Sequence, residues 1–460
     1  MKKILTCAAL TCMAAGLHAQ EGEIVKTGLN FGPLPAIAFD ADKGFQYGAL
    51  LNIYNYGDGT NYPNYDSKVY LEASFFTKGS QLYVISYDDK TLIPGVRWSS
   101  AVSATIDKAM DFYGFNGYSS YYDHERISLG KENKHSQNPD NFLFSPYYKT
   151  DRIQILAKSD FIGDIGEHLK WEAGYHFSYF RQGPVNRDAI NKGKDEYNIF
   201  PDTQSTLYED YLNWGLISPG EAGGGITSSI RLGMVYDSRD KEGAPSRGIW
   251  AEGHVTAAPK WLGTQNPFWR YSLTWRHYLP IIDDDILTFA YRLNYEGTFG
   301  SDAPFYILPY MTVMGDFYDR DGMGGYRTVR GMMRDRVIGL DMATWTAELR
   351  WRFTRFQLFN QNIAFALNLF SDGSMVTRGR DMSFRGSEEF KASYDEYMSK
   401  GTDGDRPHIT AGAGLRFIMN ENFIVALEYG LPLSMFYSKS SPLYRQDGSG
   451  ALYISTGYLF

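Results

Sequence analysis

Several stretches of this sequence alternate apolar and polar residues over about ten positions, a pattern that few folds accommodate. From 287 to 296, LTFAYRLNYE places Leu, Phe and Tyr at every odd position and Thr, Ala, Arg, Asn and Glu at every even one. Residues 344–353, TWTAELRWRF, repeat the pattern with two tryptophans on the apolar side. A period of two predicts β-strands with one apolar face. Strands of about 9–11 residues are long enough to cross a bilayer at a tilt.

A soluble β-sandwich is the alternative, because its strands also alternate. Sandwich strands usually run about 5–6 residues, which is shorter than the stretches seen here. Tyrosine and tryptophan also recur near the strand ends, as in the aromatic girdles of membrane barrels. The pattern therefore favours an all-β fold, a transmembrane antiparallel β-barrel.

The sequence predicts sixteen strands, an even number, as bacterial single-chain barrels have. They are predicted at 34–41, 45–55, 67–77, 80–88, 95–107, 145–159, 168–180, 225–237, 247–258, 268–280, 285–297, 341–354, 361–371, 408–418, 421–432 and 450–460. With a periplasmic N-terminus, the long connections all fall on the external side. These are residues 108–144, 181–224, 298–340, 372–407 and 433–449.

The first nineteen residues have the form of a secretory signal peptide. Two lysines precede a short apolar run and a small-residue site ending at Ala19. We therefore expect a signal peptide at 1–19 and one barrel domain at 20–460. Cys7 and Cys12 are the two cysteines of the sequence and lie in the signal, so the exported chain would carry no thiols. After the signal, no apolar run approaches the roughly 18 residues of a spanning helix.

An arginine-rich stretch, GYRTVRGMMRDRVIGLD (325–341), ends the sixth external loop. The triplet Val329, Arg330 and Gly331, followed by a strand containing AELR, resembles the motif of the BamA, TamA and two-partner-secretion transporter superfamily. The resemblance implies that the loop folds into the lumen and that Arg330 contacts Glu348 and Asp372. Alternation places both carboxylates on the lumen face independently. Arginine suits this role because its planar fork binds a carboxylate with two bonds. A solvated basic loop is the alternative.

A second match to the superfamily is YDSRDKEGAPSRG (236–248), which resembles a turn motif between strands eight and nine. Its matching residues are Asp237, Arg239, Asp240, Pro245, Arg247 and Gly248. The last three strands also resemble the C-terminal end of the family. Members usually carry periplasmic POTRA modules, and we expect this chain to lack them, which puts in doubt any function that needs substrate handed over by those modules.

The first and last strands are predicted to pair weakly. Pro33 and Pro35 lack the N–H that a strand ladder needs. Gly457 in the closing strand has no side chain to pack, and Phe460 gives the chain the C-terminal aromatic typical of outer-membrane sorting signals. A weak junction is what a laterally opening barrel requires. An ordinary N-terminal strand with a frayed entry explains the same residues.

The resemblance implies a role in insertion or translocation of proteins, or in lipid transfer, at the bacterial outer membrane. The expected partners are outer-membrane lipids, periplasmic or outer-membrane accessory proteins, and the barrel assembly machinery for its own insertion. The alternative is a passive pore or structural barrel without assembly activity. Lumen-facing arginines could give such a pore an anion preference; they are Arg270, Arg276, Arg292, Arg350 and Arg352.

No catalytic, cofactor or metal site is predicted. The segment DRDGMGG (319–325) lacks the twelfth-position glutamate of a calcium loop, since Arg330 stands there. The glycine run 220–225 lacks the lysine of a phosphate-binding loop. The eight histidines show no metal-ligand spacing. The net charge of −8 argues against nucleic acid as a partner.

Overall fold

The computed structural model describes residues 24–40, 44–132, 142–195, 198–282, 285–315, 322–421, 423–456 and 460. The predicted signal peptide and Gly457 lie outside these residues. The described residues form seventeen strands. They are β1 (Leu29–Pro35), β2 (Ala38–Asp40), β3 (Gly44–Asn55), β4 (Ser67–Phe76), β5 (Gln81–Ile93), β6 (Val96–Asp111), β7 (Lys149–Asp164), β8 (Leu169–Gly183), β9 (Gly224–Asp237), β10 (Gly248–Ala258), β11 (Phe268–Ile282), β12 (Leu287–Thr298), β13 (Asp341–Leu358), β14 (Gln361–Arg378), β15 (His408–Met419), β16 (Phe423–Pro432) and β17 (Ala451–Thr456).

The strands make one antiparallel barrel with sixteen strand positions around its wall. Both β1 and β2 pair with β3, so they are two segments of one interrupted strand that occupies the first position. Each strand from β3 to β17 pairs with the next along the chain, and β17 lies beside β2. The predicted strand number and order are therefore confirmed, and the first strand is interrupted at residues 36–37.

The alternation sorts the side chains as predicted. On β12, Arg292, Asn294 and Glu296 are buried, while Leu293 between them is 51% exposed on the outer face. On β13, every even-numbered residue from 342 to 352 is buried. The outer face therefore presents the apolar surface that lipid requires, and the polar face turns inward.

The connections differ between the two ends of the barrel. The long connections are 112–148, 184–223, 299–340, 379–407 and 433–450, and their described residues all lie at one end, called the long-loop end. The other end is called the short-turn end. There, Phe359 and Asn360 join β13 to β14 with positive φ angles of 51° and 59°. Two positive φ values match the hairpin turn whose twist follows that of the strands.

The long loops carry the described α-helices and all of the described 3-10 turns except Lys260–Leu262, which lies between β10 and β11. The α-helices are His124–Glu132, Arg187–Asn191, Leu207–Asn213 and Lys391–Lys400, and the 3-10 turns are Gly117–Ser119, Ser145–Tyr148, Lys260–Leu262, Glu388–Phe390 and Leu433–Phe436. Among the described residues, no helix has the length and apolar character of a membrane-spanning segment. The loops pack on one another through a buried, mainly aromatic core that includes Phe115, Tyr208, Tyr211, Phe305 and Tyr397. The long-loop end is therefore covered.

Candidate functional site

The sixth loop, residues 299–340, turns back into the lumen. Thr328 fixes the turn at its inner end, because its hydroxyl accepts from the Gly324 N–H at 2.8 Å and donates to the Gly322 carbonyl at 2.8 Å. Val329 then packs in a buried apolar cluster with Met323, Met332 and Val376. These contacts place Arg330 against the barrel wall.

Arg330 is fully buried and bonds three carboxylates. Its Nε and Nη2 lie 2.8 and 3.0 Å from the two oxygens of Asp372, and its backbone N–H donates to the same group at 3.0 Å. Its Nη1 lies 2.7 Å from Oε1 of Glu348 and 2.7 Å from Oε1 of Glu428. The guanidinium carbon sits 3.6 Å from the centre of the Phe370 ring.

Two further arginines complete a network that we call the luminal clamp. Arg416 bonds Glu428 at 2.9 Å and Glu348 at 3.2 Å, and Arg350 bonds Glu348 at 2.6 Å. The clamp thus joins three cations to three anions, all of them buried. A buried ion is stable only when its charge is matched, and the three anions match the three cations here.

Glycine lets the loop backbone touch the wall beside the clamp. Gly331 has a φ of +91°, and a Cβ there would stand 2.4 Å from the carbonyl carbon of Gly430. A Cβ on Gly430 would in turn stand 2.7 Å from the Arg330 carbonyl oxygen. The Gly331 N–H donates to the Tyr453 hydroxyl at 3.0 Å. The loop is therefore fastened to β13, β14, β16 and β17.

The structure brings Arg330 to both of the carboxylates that the resemblance implied, Glu348 and Asp372. The sequence analysis missed Glu428 and Arg416. Both stand at inward positions of alternating strands, so strand parity was the signal that could have found them. Two other arginines of the loop do different work: Arg336 donates to three backbone carbonyls, and Arg334 bonds Asp107 at 3.0 Å.

The turn motif between β9 and β10 forms one compact hairpin. Arg239 bonds Asp237 with Nε at 2.9 Å and Nη2 at 3.1 Å. Asp240 accepts from the backbone N–H of Ser246 at 3.0 Å and of Arg247 at 3.1 Å. The next two motif residues complete the turn: Pro245 is buried, and Gly248 has a φ of +100° with the Ser238 carbonyl oxygen 2.1 Å from where a Cβ would be.

This hairpin reaches across the short-turn end. Glu242 bonds Lys90 of β5 at 3.0 Å and Arg97 of β6 at 3.4 Å, while Ala244 packs with residues of β14, β15 and β16. Burial by itself would raise the pKa of Glu242, but the charges of Arg97 and Lys90 outweigh it and lower that pKa below its ordinary value. The hairpin thus links opposite parts of the wall.

Pro33 and Pro35 lie on β1, where they pair in register with Leu51 and Ala49 of β3. The N–H group of Ala36 donates to the Gly48 carbonyl of β3 at 3.0 Å. Because successive N–H groups of a strand point to opposite sides, the nitrogens of residues 33 and 35 face away from β3. The prolines therefore remove two donors from the edge of β1 that faces away from β3.

Phe460 does not lie on a strand. Its side chain is buried in the lumen against Tyr278 and Ala290, and its carbonyl oxygen accepts from Arg350 Nη2 at 3.0 Å. The guanidinium groups of Arg292 and Arg350 stand over the Phe460 ring, 5.3 and 4.8 Å from its centre. The C-terminal residue thus contacts an arginine of the clamp.

Comparison with known proteins agrees with this architecture. The profile of the Omp85 superfamily domain matches residues 98–441. No curated protein matches the chain significantly. Among solved structures, BamA from Haemophilus ducreyi lacking POTRA domains 1–3 is similar, with a TM-score of 0.51 and 15% identity over 94% of this chain and 70% of that one. CdiB from Escherichia coli has a TM-score of 0.50 and 11% identity over 95% of this chain and 63% of that one.

At identities of 15% and 11%, the similarity to these two structures shows a shared fold and nothing about function. The profile match shows family membership, because it covers more than half of the sequence. It includes the turn motif, the arginine-bearing loop and the clamp residues on β13 to β16. This chain belongs to the Omp85 superfamily.

Proposed function

We propose that this protein inserts or translocates proteins at the outer membrane by opening between its first and last strands. The superfamily assignment indicates the outer membrane as its location. The observation that carries the proposal is the short junction of β2 with β17, which we call the seam. At this junction the three residues of β2 lie beside the six described residues of β17.

The seam is weak for reasons of backbone chemistry. Hydrogen-bonded strand pairs stabilise a barrel in proportion to their length, and β13 pairs with β14 over more than fifteen residues. The first strand position is interrupted at 36–37, and the edge of β1 that faces away from β3 lacks donors at Pro33 and Pro35. Opening there breaks fewer backbone bonds than opening at any fully paired junction.

The luminal clamp supports the same proposal from the other side of the seam. Arg330 and Gly331 fasten the loop to β14, β16 and β17, so the C-terminal wall is held as one unit. A rigid wall beside a weak junction concentrates movement at that junction. The interior loop then keeps the lumen filled while the side of the barrel opens to lipid.

The passive-pore alternative is less well supported. The described loop residues fill the lumen, and the arginines that could select anions are engaged: Arg270 donates to the Ile307 carbonyl at 3.1 Å and Arg352 bonds Glu421 at 2.7 Å. The aromatic core of the loops covers one mouth, and the β9–β10 hairpin spans the other. A steady open channel requires these elements to move.

A reversible lock across the seam tests the proposal. Ile37→Cys is combined in turn with Leu452→Cys and Ile454→Cys, in the mature chain, and the purified protein is placed in lipid vesicles. We expect the reduced protein to speed the insertion of a small eight-stranded barrel into these vesicles. Oxidation is expected to abolish this effect, and reduction to restore it, because the seam must separate for substrate to enter.

The matched control is Leu427→Cys with Ile454→Cys, which joins register partners on β16 and β17. This lock lies within the wall that we expect to stay together, so it should leave the insertion rate unchanged. Equal insertion rates for the oxidised and reduced seam variants would contradict the proposal. Equal loss in the control pair would show that crosslinking itself, and not closure of the seam, causes the effect.

A further inference from the structure

We infer that the lumen holds a site for a first-row divalent metal ion, made by Glu172, Glu252 and His254. The three side chains are buried and come from β8 and β10, and one ligand atom of each lies within 4.8 Å of the others. The site lies on the wall opposite the seam and does not rest on the proposed function.

The backbone register explains why the three groups meet. Glu172 and His254 both stand opposite Gly233 of β9, one on each side. A Cβ on Gly233 would lie 2.5 Å from the His254 Cβ and 2.6 Å from the Glu172 Oε1. The missing side chain therefore opens a space in which groups two strands apart come into contact.

The hydrogen bonds around His254 assign its proton. Thr312 Oγ1 lies 2.8 Å from Glu296 Oε2, to which it donates its only hydrogen. The same hydroxyl lies 3.1 Å from His254 Nε2, so there it accepts, and Nε2 carries the hydrogen. In the neutral ring, Nδ1 then directs a lone pair at Glu252 Oε1, 3.1 Å away, and Glu172 Oε1, 3.7 Å away.

A lone pair that faces two carboxylates forms a site that a cation would stabilise. A proton on Nδ1 would satisfy Glu252, but both oxygens of Glu172 have no hydrogen-bond partner among the described residues. A metal ion satisfies all three groups at once. Tetrahedral ligands about 2.0–2.1 Å from zinc stand about 3.3 Å apart, and the observed 3.1 and 3.7 Å bracket that separation.

The surroundings fit a metal-binding histidine. Such a histidine donates its second ring N–H to an outer group that fixes its orientation, as His254 does to Thr312. Thr312 belongs to the sixth loop, and Glu296 behind it also accepts from the Thr312 N–H at 3.0 Å. The metal would thus fasten the loop to β8, β10 and β12, while Arg330 fastens it to the C-terminal strands.

Zinc binding by the full mature chain in detergent micelles tests the site. The protein is stripped with a chelator, exposed to Zn²⁺, and analysed by elemental analysis and by competition with a metal-sensitive dye. We expect one Zn²⁺ per chain, an affinity at least tenfold lower in Glu172→Gln and in His254→Gln, and about a tenfold loss in Thr312→Val. Bound Zn²⁺ should also slow proteolysis within the loop.

The matched control is His176→Gln, which removes another histidine of β8, one paired with Asp160 at 2.6 Å. It should bind Zn²⁺ like the unaltered protein. Heat-modified gel mobility verifies that each variant folds. Absence of stoichiometric Zn²⁺, or equal affinity in the double variant Glu172→Gln/His254→Gln, would overturn the inference and leave a protonated His254 between the two glutamates.

Discussion

Replacement of Arg330 by alanine should release the sixth loop, and the structure sets the size of the effect. Glu348 and Glu428 each keep Arg416 after the change. Asp372 loses both of its side-chain bonds to Arg330 and keeps the hydrogen bond from the backbone N–H of residue 330. One buried carboxylate therefore loses its ion-pair partner, which costs about 3–5 kcal/mol of unfolding free energy.

The charge itself accounts for this loss, so a second change should relieve it. We expect Arg330→Ala with Asp372→Asn to be more stable than Arg330→Ala alone, by up to about 3 kcal/mol of coupling. Arg330→Lys should lie between the native protein and Arg330→Ala, because lysine keeps the charge and loses the two-bond geometry.

Urea unfolding in micelles, followed by tryptophan fluorescence, measures these free energies. Limited proteolysis reports the loop separately, since a released loop is cleaved before the barrel unfolds. Arg327→Ala is the control, because it removes an arginine of the same loop whose Nε bonds the neighbouring Tyr326 hydroxyl at 2.6 Å. If Arg330→Ala unfolds and is cleaved like Arg327→Ala, the buried clamp does not hold the loop and the reasoning is wrong.

Four further outcomes are expected. Gly331→Ala should destabilise the loop by more than about 1 kcal/mol in the same urea assay, because its φ is +91° and its Cβ would overlap the wall backbone. Pro33→Ala with Pro35→Ala returns two donors to the free edge of β1 next to the seam and should slow insertion of the test barrel into vesicles. The pKa of Glu242 is lowered in the folded state, so its contribution to stability should be complete at and above its ordinary pKa. That contribution should be lost as pH falls toward the lowered pKa. Between pH 7 and pH 3, the urea midpoint should therefore fall less for Glu242→Gln than for the native protein. Deletion of residues 318–338 should raise single-channel conductance in planar bilayers, whereas a large steady conductance in the native protein would favour a passive pore.

The repeated alternation was sufficient to predict the barrel, its sixteen strands and the grouping of the long loops at one end. Each strand must present one face to lipid and one to the lumen, so hydrophobicity along the chain records the fold directly. The same parity placed Glu348 and Asp372 on the inner face. The VRG triplet supplied the expectation that Arg330 would meet them.

Tertiary structure decided the rest, because it depends on which strands become neighbours across the lumen. Glu428 and Arg416 join the clamp only once the barrel curves β13 to β16 around the loop. Phe460 enters the lumen instead of completing the last strand, and the β9–β10 hairpin spans the short-turn end. The sequence spacing of Glu172, Glu252 and His254 carries no metal signature, since their meeting depends on strand register and on the space left by Gly233. Alternation is a local property of each strand, whereas contacts across a closed wall are set by register and curvature, which no single segment contains.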